Sequence, residues 1–286
     1  MRSFAYFEPT TIEEASALLA ENGGEATILA GGTDLLVGWK EGIATPKSVV
    51  SLAQIPGLDS IAYDENTGLS IGGMTKMRAI EQSSTIRNRY TALAEGASEV
   101  GSIQIRNLAT LGGNICNASP AADTVAALLV FGAQLEIAST YGERTIPICD
   151  FFVGPGESSL QHGEIVTRLV CPPRPDKSGS HYIKQKIREV MDLAFIGVAA
   201  SLELAHGVVA DVKIGLAAVA PTPIRATDAE NMLKGNPLSD SILDQAASAA
   251  AEQSSPISDL RCSAEYREDM VRVLTKRTIQ ASAERI

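Results

Sequence analysis

Two glycine-bearing segments hold the residues whose types and spacing bear on chemistry. The first, Leu29-Ala30-Gly31-Gly32-Thr33-Asp34-Leu35-Leu36, reads as a strand, a tight turn and a helix start. Glycines admit positive φ and let a backbone come close to a ligand. Consecutive N–H groups facing one point suit a diphosphate. Neither a G-x-G-x-x-G fingerprint nor a G-x-x-x-x-G-K-[ST] phosphate loop is present, and a purely structural glycine turn is the other reading. The second segment, Gln104-Ile105-Arg106-Asn107-Leu108-Ala109-Thr110-Leu111-Gly112-Gly113-Asn114, flanks its glycine pair with a hydroxyl and an amide. Both can hydrogen-bond phosphate, ribose or a ring heteroatom. Nine residues beyond Asn114 stands Asp123, early in an otherwise apolar helix. There a carboxylate serves either the helix's free N–H groups or a ribose hydroxyl. The chemistry points to a nucleotide or dinucleotide site.

The elements that must position these loops follow from capping and periodicity. Residues 1–57 read as a small α/β unit. Thr10 or Thr11 caps a helix, Glu13 or Glu14 completes a capping box, and Asn22-Gly23-Gly24 stops it. Strands are expected at 27–30 and 48–52, with a second helix from Thr33 or Asp34. Residues 58–175 read as mixed α+β, with strands at 69–71, 134–138, 144–148 and 164–171 and helices at 75–83 and 90–100. Ser119 with Pro120 opens a further helix through Val125, Leu128 and Leu129. Pro172-Pro173-Arg174-Pro175-Asp176-Lys177-Ser178-Gly179 marks the clearest boundary. Residues 176–286 then form a C-terminal unit, with strands at 181–187, 197–204 and 208–219 and an Ala-rich helical part from Ala226.

Composition narrows the function classes. The 286 residues are 45% hydrophobic and 20% charged, as in a globular protein, and can bury a substantial core. A net charge of −10 argues against a nucleic-acid surface and suits solubility. The N-terminus lacks the pattern of a secretory leader, and the most apolar run, 125–132, is too short to span a membrane, so a cytoplasmic location is expected. Cys116, Cys149, Cys171 and Cys262 are scattered, which suits buried or semi-buried thiols rather than a metal or iron–sulfur site. His162, His181 and His206 have no partners at metal-ligand spacing and read as structural or surface residues.

Ala30-Gly31-Gly32-Thr33-Asp34-Leu35, Ile105-Arg106-Asn107-x-x-Thr110-x-Gly112-Gly113-Asn114 and Ser119-Pro120-x-x-Asp123 occur in that order. They are followed by Arg188-x-x-x-Asp192-Leu193-Ala194 and Ala220-Pro221-Thr222-Pro223-Ile224-Arg225-Ala226. Taken together they resemble the flavoprotein subunits of the xanthine dehydrogenase / carbon monoxide dehydrogenase family of molybdenum hydroxylases, over essentially the whole chain. The resemblance implies an α+β fold: a two-subdomain FAD domain of the vanillyl-alcohol-oxidase / p-cresol-methylhydroxylase type, then a C-terminal α+β domain. It implies that the backbone of residues 29–36 wraps the FAD diphosphate, that Thr110 to Asn114 forms the second half of the cradle, and that Asp123 bonds a ribose or adenine-side hydroxyl. Val100, Val166 and Lys184 match positions near the flavin, where a cation would favour the reduced, anionic ring. It further implies a small [2Fe–2S] subunit and a large molybdopterin subunit as partners in a dimer of heterotrimers. Electrons would pass from the clusters through FAD to an acceptor such as NAD, with no acid–base triad in this chain.

Two departures from the family pattern stand out. No Cys-rich insertion is visible, which disfavours the 4-hydroxybenzoyl-CoA reductase branch. Ile187 precedes Arg188 where some relatives have a second Arg. Two rival readings fit the sequence less well. A stand-alone flavin oxidase of an alcohol or phenol would call for a larger substrate domain than 176–286. An interaction subunit that has lost its flavin would not need intact glycines, Thr110, Asn114 and Asp123.

Overall fold

The computed structural model describes residues 3–286; Met1 and Arg2, the first residues of the stretch read as lacking a leader, lie outside them. The N-terminal unit is a three-stranded parallel sheet of Ala5–Phe7 (β1), Ala26–Leu29 (β2) and Ser48–Ser51 (β3), in the order β1-β3-β2. Helices Ile12–Asn22 (α1) and Leu35–Glu41 (α2) make the crossovers. Thr11 caps α1 by accepting from the Glu14 amide at 3.1 Å, while the Glu14 carboxylate reaches back to the Thr10 amide at 2.9 Å. The buried face of α1 (Ala15, Ser16 and Leu19) lies over a core with Val50 and Leu52.

The middle unit is a five-stranded antiparallel sheet. Its strands are Ile61–Asp64 (β4), Gly68–Gly72 (β5), Gln134–Ser139 (β6), Gly142–Pro147 (β7) and, after the short hairpin Phe152–Gly154 (β8) and Glu157–Ser158 (β9), Ile165–Cys171 (β10). The order is β4-β5-β10-β6-β7, with a register shift in β10 between Val166 and Arg168. Its helices are Met77–Gln82 (α3), Ser84–Arg89 (α4), Thr91–Ser98 (α5), Ile103–Arg106 (α6), Leu111–Cys116 (α7) and Val125–Val130 (α8).

The C-terminal unit is a four-stranded antiparallel sheet of Ser178–Gln185 (β11), Ile196–Ala205 (β12), Val208–Ala217 (β13) and Ile224–Arg225 (β14). Helices Thr227–Leu233 (α9), Asp240–Glu252 (α10) and Ala264–Ala283 (α11) complete it. Strand alternation sends neighbouring residues to opposite faces. Val198 and Ala200 join the core under α10 and α11, whereas Ala199, Ala217 and Tyr182 join the core of the middle unit. Small residues make that second contact possible: a Cβ on Gly215 would stand 2.5 Å from the Ala126 carbonyl oxygen of α8.

Several expected elements differ. The helix expected at 75–83 begins at Met77 and ends at Gln82; Ser83 instead caps α4 through the Ile86 amide. Residues 119–123 do not open a helix. Ser119 accepts from the Ala121 and Ala122 amides in a turn, and α8 starts only at Val125. Asp123 therefore precedes the helix. Conversely, the second glycine segment is helical: Thr110 caps α7 through the Gly113 amide, and Gly112 and Gly113 sit in its first turn. Cys149 is exposed rather than semi-buried.

Candidate functional site

The two glycine segments meet face to face. A Cβ on Gly31 would fall 2.4 Å from the Leu108 carbonyl oxygen, and one on Gly112 would fall 2.7 Å from that of Gly73. These glycines are required by loop-on-loop packing. Gly32 has a different reason, a φ of +71°, which L side chains disfavour. Arg106 holds the assembly from behind: it is buried, with Nε 2.8 Å from Glu81 and Nη1 donating to the Val100 carbonyl at 3.1 Å.

Between the loops opens a cavity of about 1230 Å³. It runs from Leu19, Ala26 and Thr27 of the N-terminal unit, past both glycine segments, to Met191, Asp192 and Leu193 of the C-terminal unit. Of the residues singled out in the sequence, Ala30, Gly31, Gly32, Thr33, Asp34, Leu35, Val100, Thr110, Gly112, Gly113, Asn114, Asp123 and Val166 line it. Leu29, Leu36, Leu111 and Lys184 do not: the first two pack beneath Gly32, and Leu111 is fully buried core.

Hydrogen bonding gives the two loops different roles. Among the described residues, the amides of Gly31, Gly32, Thr33, Asp34 and Leu35 donate to no protein acceptor. This run of free donors at a concave wall suits an anionic ligand. In the second loop the amides are already engaged: Leu111 with the Thr75 carbonyl, Gly112 with that of Gly73, Gly113 with the Thr110 hydroxyl and Asn114 with the Thr110 carbonyl. What this loop offers the cavity is side chains, Thr110 and Asn114, the latter fixed by the Thr124 hydroxyl at 2.7 Å.

Asp123 is the buried carboxylate of the wall. Its Oδ1 accepts from the Tyr182 hydroxyl at 3.0 Å and its Oδ2 from Lys184 Nζ at 2.8 Å. Burial pushes this carboxyl up to about 6, against the opposing pull of Lys184 and Tyr182. The Lys184 ammonium is almost fully buried and also donates to the Glu99 carbonyl at 3.1 Å, so it faces Asp123 rather than the cavity.

A third wall went unread in the sequence. Residues 160–164, from the loop before β10, line the cavity together with Ile165 at the start of that strand. His162 is anchored by a 2.6 Å contact of Nε2 with the Leu19 carbonyl, and the Gly163 carbonyl accepts from the Ser16 hydroxyl at 2.8 Å. Glu164 is gripped by Arg144 at 2.6 and 2.7 Å. His181 lies away from the cavity, paired with Glu95, and His206 occupies a hairpin turn at φ +53°. Among the described residues no group of three or more His, Cys, Asp or Glu is placed to hold a metal ion, and no helix is long and apolar enough to cross a membrane.

Residues 2–174 match the model of the FAD binding domain in molybdopterin dehydrogenase. The chain belongs to this family. Residues 181–282 match the carbon monoxide dehydrogenase flavoprotein C-terminal domain, so the α+β arrangement of an FAD-binding domain followed by a C-terminal domain holds. This flavoprotein is similar to the xanthine dehydrogenase FAD-binding subunit of Escherichia coli O157:H7, at 35% identity over 276 residues, 96% of this chain and 94% of that one. It is 34% identical over 283 residues to the carbon monoxide dehydrogenase medium chain of Afipia carboxidovorans, covering 99% and 98% of the two. Among solved structures it is similar to carbon monoxide dehydrogenase from Hydrogenophaga pseudoflava, with a TM-score of 0.96 at 32% identity and coverage of 99% and 98%. Quinoline 2-oxidoreductase from Pseudomonas putida 86 gives 0.92 at 28%, with the same coverage. The cofactor of the flavoprotein is FAD, and the cavity fits it. It exceeds the roughly 300–1,000 Å³ of ordinary small-molecule sites, its free amides suit a diphosphate, and Asp123 supplies an acceptor for hydroxyl or N–H donors.

Proposed function

We propose that this chain is the electron-relay subunit of a molybdenum hydroxylase. Its FAD would accept electrons from [2Fe–2S] clusters on a small partner subunit and pass them to an external acceptor such as NAD. A large molybdopterin subunit would carry the hydroxylation, and the assembly would be a dimer of heterotrimers in the cytoplasm. Within the chain, residues 1–57 and 58–175 are read as two FAD subdomains and 176–286 as the C-terminal domain.

The observation that carries the reading is the run of free amides from Gly31 to Leu35 in a cavity whose lining also includes the Asp123 carboxylate. These amides hold the diphosphate. Leu29 and Leu36 support their turn from beneath Gly32, and Leu111 anchors α7 in the core. Thr110 and Asn114 contribute side-chain hydrogen bonds, and the Asp123 carboxylate accepts from a cofactor hydroxyl or N–H. Val100 and Val166 supply apolar wall. The chain's work is to bind, orient and shield the cofactor, so no acid–base group is required of it.

The test is flavin content. Gly113→Val and Asp123→Ala should each lower the FAD-to-protein ratio of the purified chain read by visible absorbance, because one fills the wall beside Thr110 and the other removes a buried acceptor. Full flavin absorbance in both variants would remove the site assignment. Co-purification of a small iron–sulfur chain and a large molybdenum chain with a tagged copy checks the assembly.

A further inference from the structure

We propose that Tyr182 is a positioning residue of the flavin site: from β11, beside the second donor Lys184, it fixes the Asp123 carboxylate at the cavity wall, so that FAD retention depends on a phenol outside the FAD-binding domain. The proposal rests on the reading of this cavity as the FAD site. The FAD-domain match ends at residue 174, before either residue.

The geometry is that of a two-point clamp. Each carboxylate oxygen of Asp123 receives one donor, the Tyr182 hydroxyl at 3.0 Å and the Lys184 ammonium at 2.8 Å. A carboxylate oxygen accepts at two lone pairs, so one acceptor direction on each oxygen is left for a ligand while rotation of the group is prevented. Both clamping side chains are buried, so neither donor is diverted to water. The strand is itself pinned to α5, because the Tyr182 amide donates to Glu95 Oε2 at 2.8 Å and Lys184 donates to the Glu99 carbonyl. Space for the phenol comes from the neighbouring strand: a Cβ on Gly197 would stand 2.9 Å from the Tyr182 hydroxyl oxygen.

Asp123 is a charged acceptor at both oxygens only when ionised; protonation turns one oxygen into a donor and weakens its hold on a ligand hydroxyl or N–H. The charged and titratable groups around it are Lys184 and Tyr182 on β11 and Glu99 just after α5, the last paired with Lys186; the Cys116 thiol also lines the cavity. Burial pushes the Asp123 carboxyl up to about 6, while Lys184 and the Tyr182 hydroxyl oppose it. Removing the hydroxyl moves it higher still, so the ionised form, the stronger acceptor, is lost nearer neutrality.

The experiment follows FAD release from the full chain, by flavin fluorescence after dilution, between pH 5 and pH 8. It compares wild type with Tyr182→Phe, Gly197→Ala, Asp123→Asn and the Tyr182→Phe/Asp123→Asn double variant, with near-ultraviolet circular dichroism as the check on folding. Expected are release about tenfold faster for Tyr182→Phe at pH 7, as for loss of one charge-assisted hydrogen bond, and an acid midpoint moved to higher pH. Gly197→Ala should behave likewise, and Tyr182→Phe should add nothing once Asp123 is Asn. Wild-type release and midpoint in Tyr182→Phe, or an effect fully additive with Asp123→Asn, would overturn the positioning role and leave the flavin site standing. Wild-type retention in Asp123→Asn itself would overturn the underlying reading of Asp123, and the proposal with it.

Discussion

The α-carbon of Gly31 faces the backbone carbonyl of Leu108 so closely that a Cβ would lie 2.4 Å from its oxygen. Two segments more than seventy residues apart in the chain are thereby packed backbone to backbone, and the free amides after Gly31 are held at a fixed height above the cavity. The contact is with backbone, which cannot rotate away as a side-chain tip would.

Gly31→Ala should therefore push the loops apart, at a cost of about 1–3 kcal/mol in unfolding free energy, with a matching loss of bound FAD. Gly24→Ala is the control, since a Cβ there meets nothing within 4 Å. Denaturant unfolding and flavin absorbance of the two variants decide the matter; equal stability would mean that the loops yield without cost.

Thr110 has a local task that its place in the glycine segment conceals. Its hydroxyl accepts from the Gly113 amide at 3.1 Å and caps a short helix whose first turn holds two glycines. Each glycine in a helix costs about 1 kcal/mol relative to alanine, so this helix leans heavily on its cap. Thr110→Ala should cost about 0.5–2 kcal/mol, whereas Thr110→Ser should retain both stability and FAD. A Ser variant as unstable as the Ala variant would show that the methyl group, not the cap, matters.

Legibility in the sequence follows the range of each interaction. Thr11 and Glu14 were readable as a capping pair because capping is local, and the glycine segments were readable because their residue types carry their own signal. Thr110 was missed as a cap because helix-disfavouring glycines follow it. Tyr182 and His162 were invisible as parts of the site: their partners lie 59 and 143 positions away, and neither sits in a patterned motif. Only the folded sheet reveals that Lys184 faces a carboxylate and not the cavity.

Acid stability should report on Glu95. Burial would raise this carboxyl, but hydrogen bonds from His181, Arg285 and the Tyr182 amide outweigh it and hold the group below its ordinary value of 4.5. A carboxylate held low stabilises the fold above its unfolded value, and that contribution disappears as pH falls through the folded one. Thermal midpoints of wild type should thus fall below about pH 4.5, as the staple between α5, β11 and the C-terminal Arg285 is released. Glu95→Gln should be less stable at pH 7 by about 1–3 kcal/mol and should show a flatter acid limb. Parallel melting curves at every pH would remove Glu95 from this role.

Arg106 lies in the second glycine segment, yet it does not line the cavity and its side chain binds Glu81 and the Val100 carbonyl. It is buried, its Nε pairs with Glu81 at 2.8 Å and its Nη1 holds the Val100 carbonyl at 3.1 Å, just where the chain turns along the cavity wall. Removing one partner of such a pair leaves the other charge poorly solvated, which costs about 3–5 kcal/mol when the pair is fully buried. Arg106→Leu should approach the lower end of that range, because Arg78 still reaches Glu81 at 2.8 Å. Arg78→Leu, which removes the more exposed partner, should cost under about 1 kcal/mol. FAD retention separates the structural role from a direct one. If Arg106 only braces the wall, stabilising additives that restore folding of Arg106→Leu should restore flavin binding in proportion. A folded but flavin-free variant would instead assign Arg106 a direct contact with the cofactor.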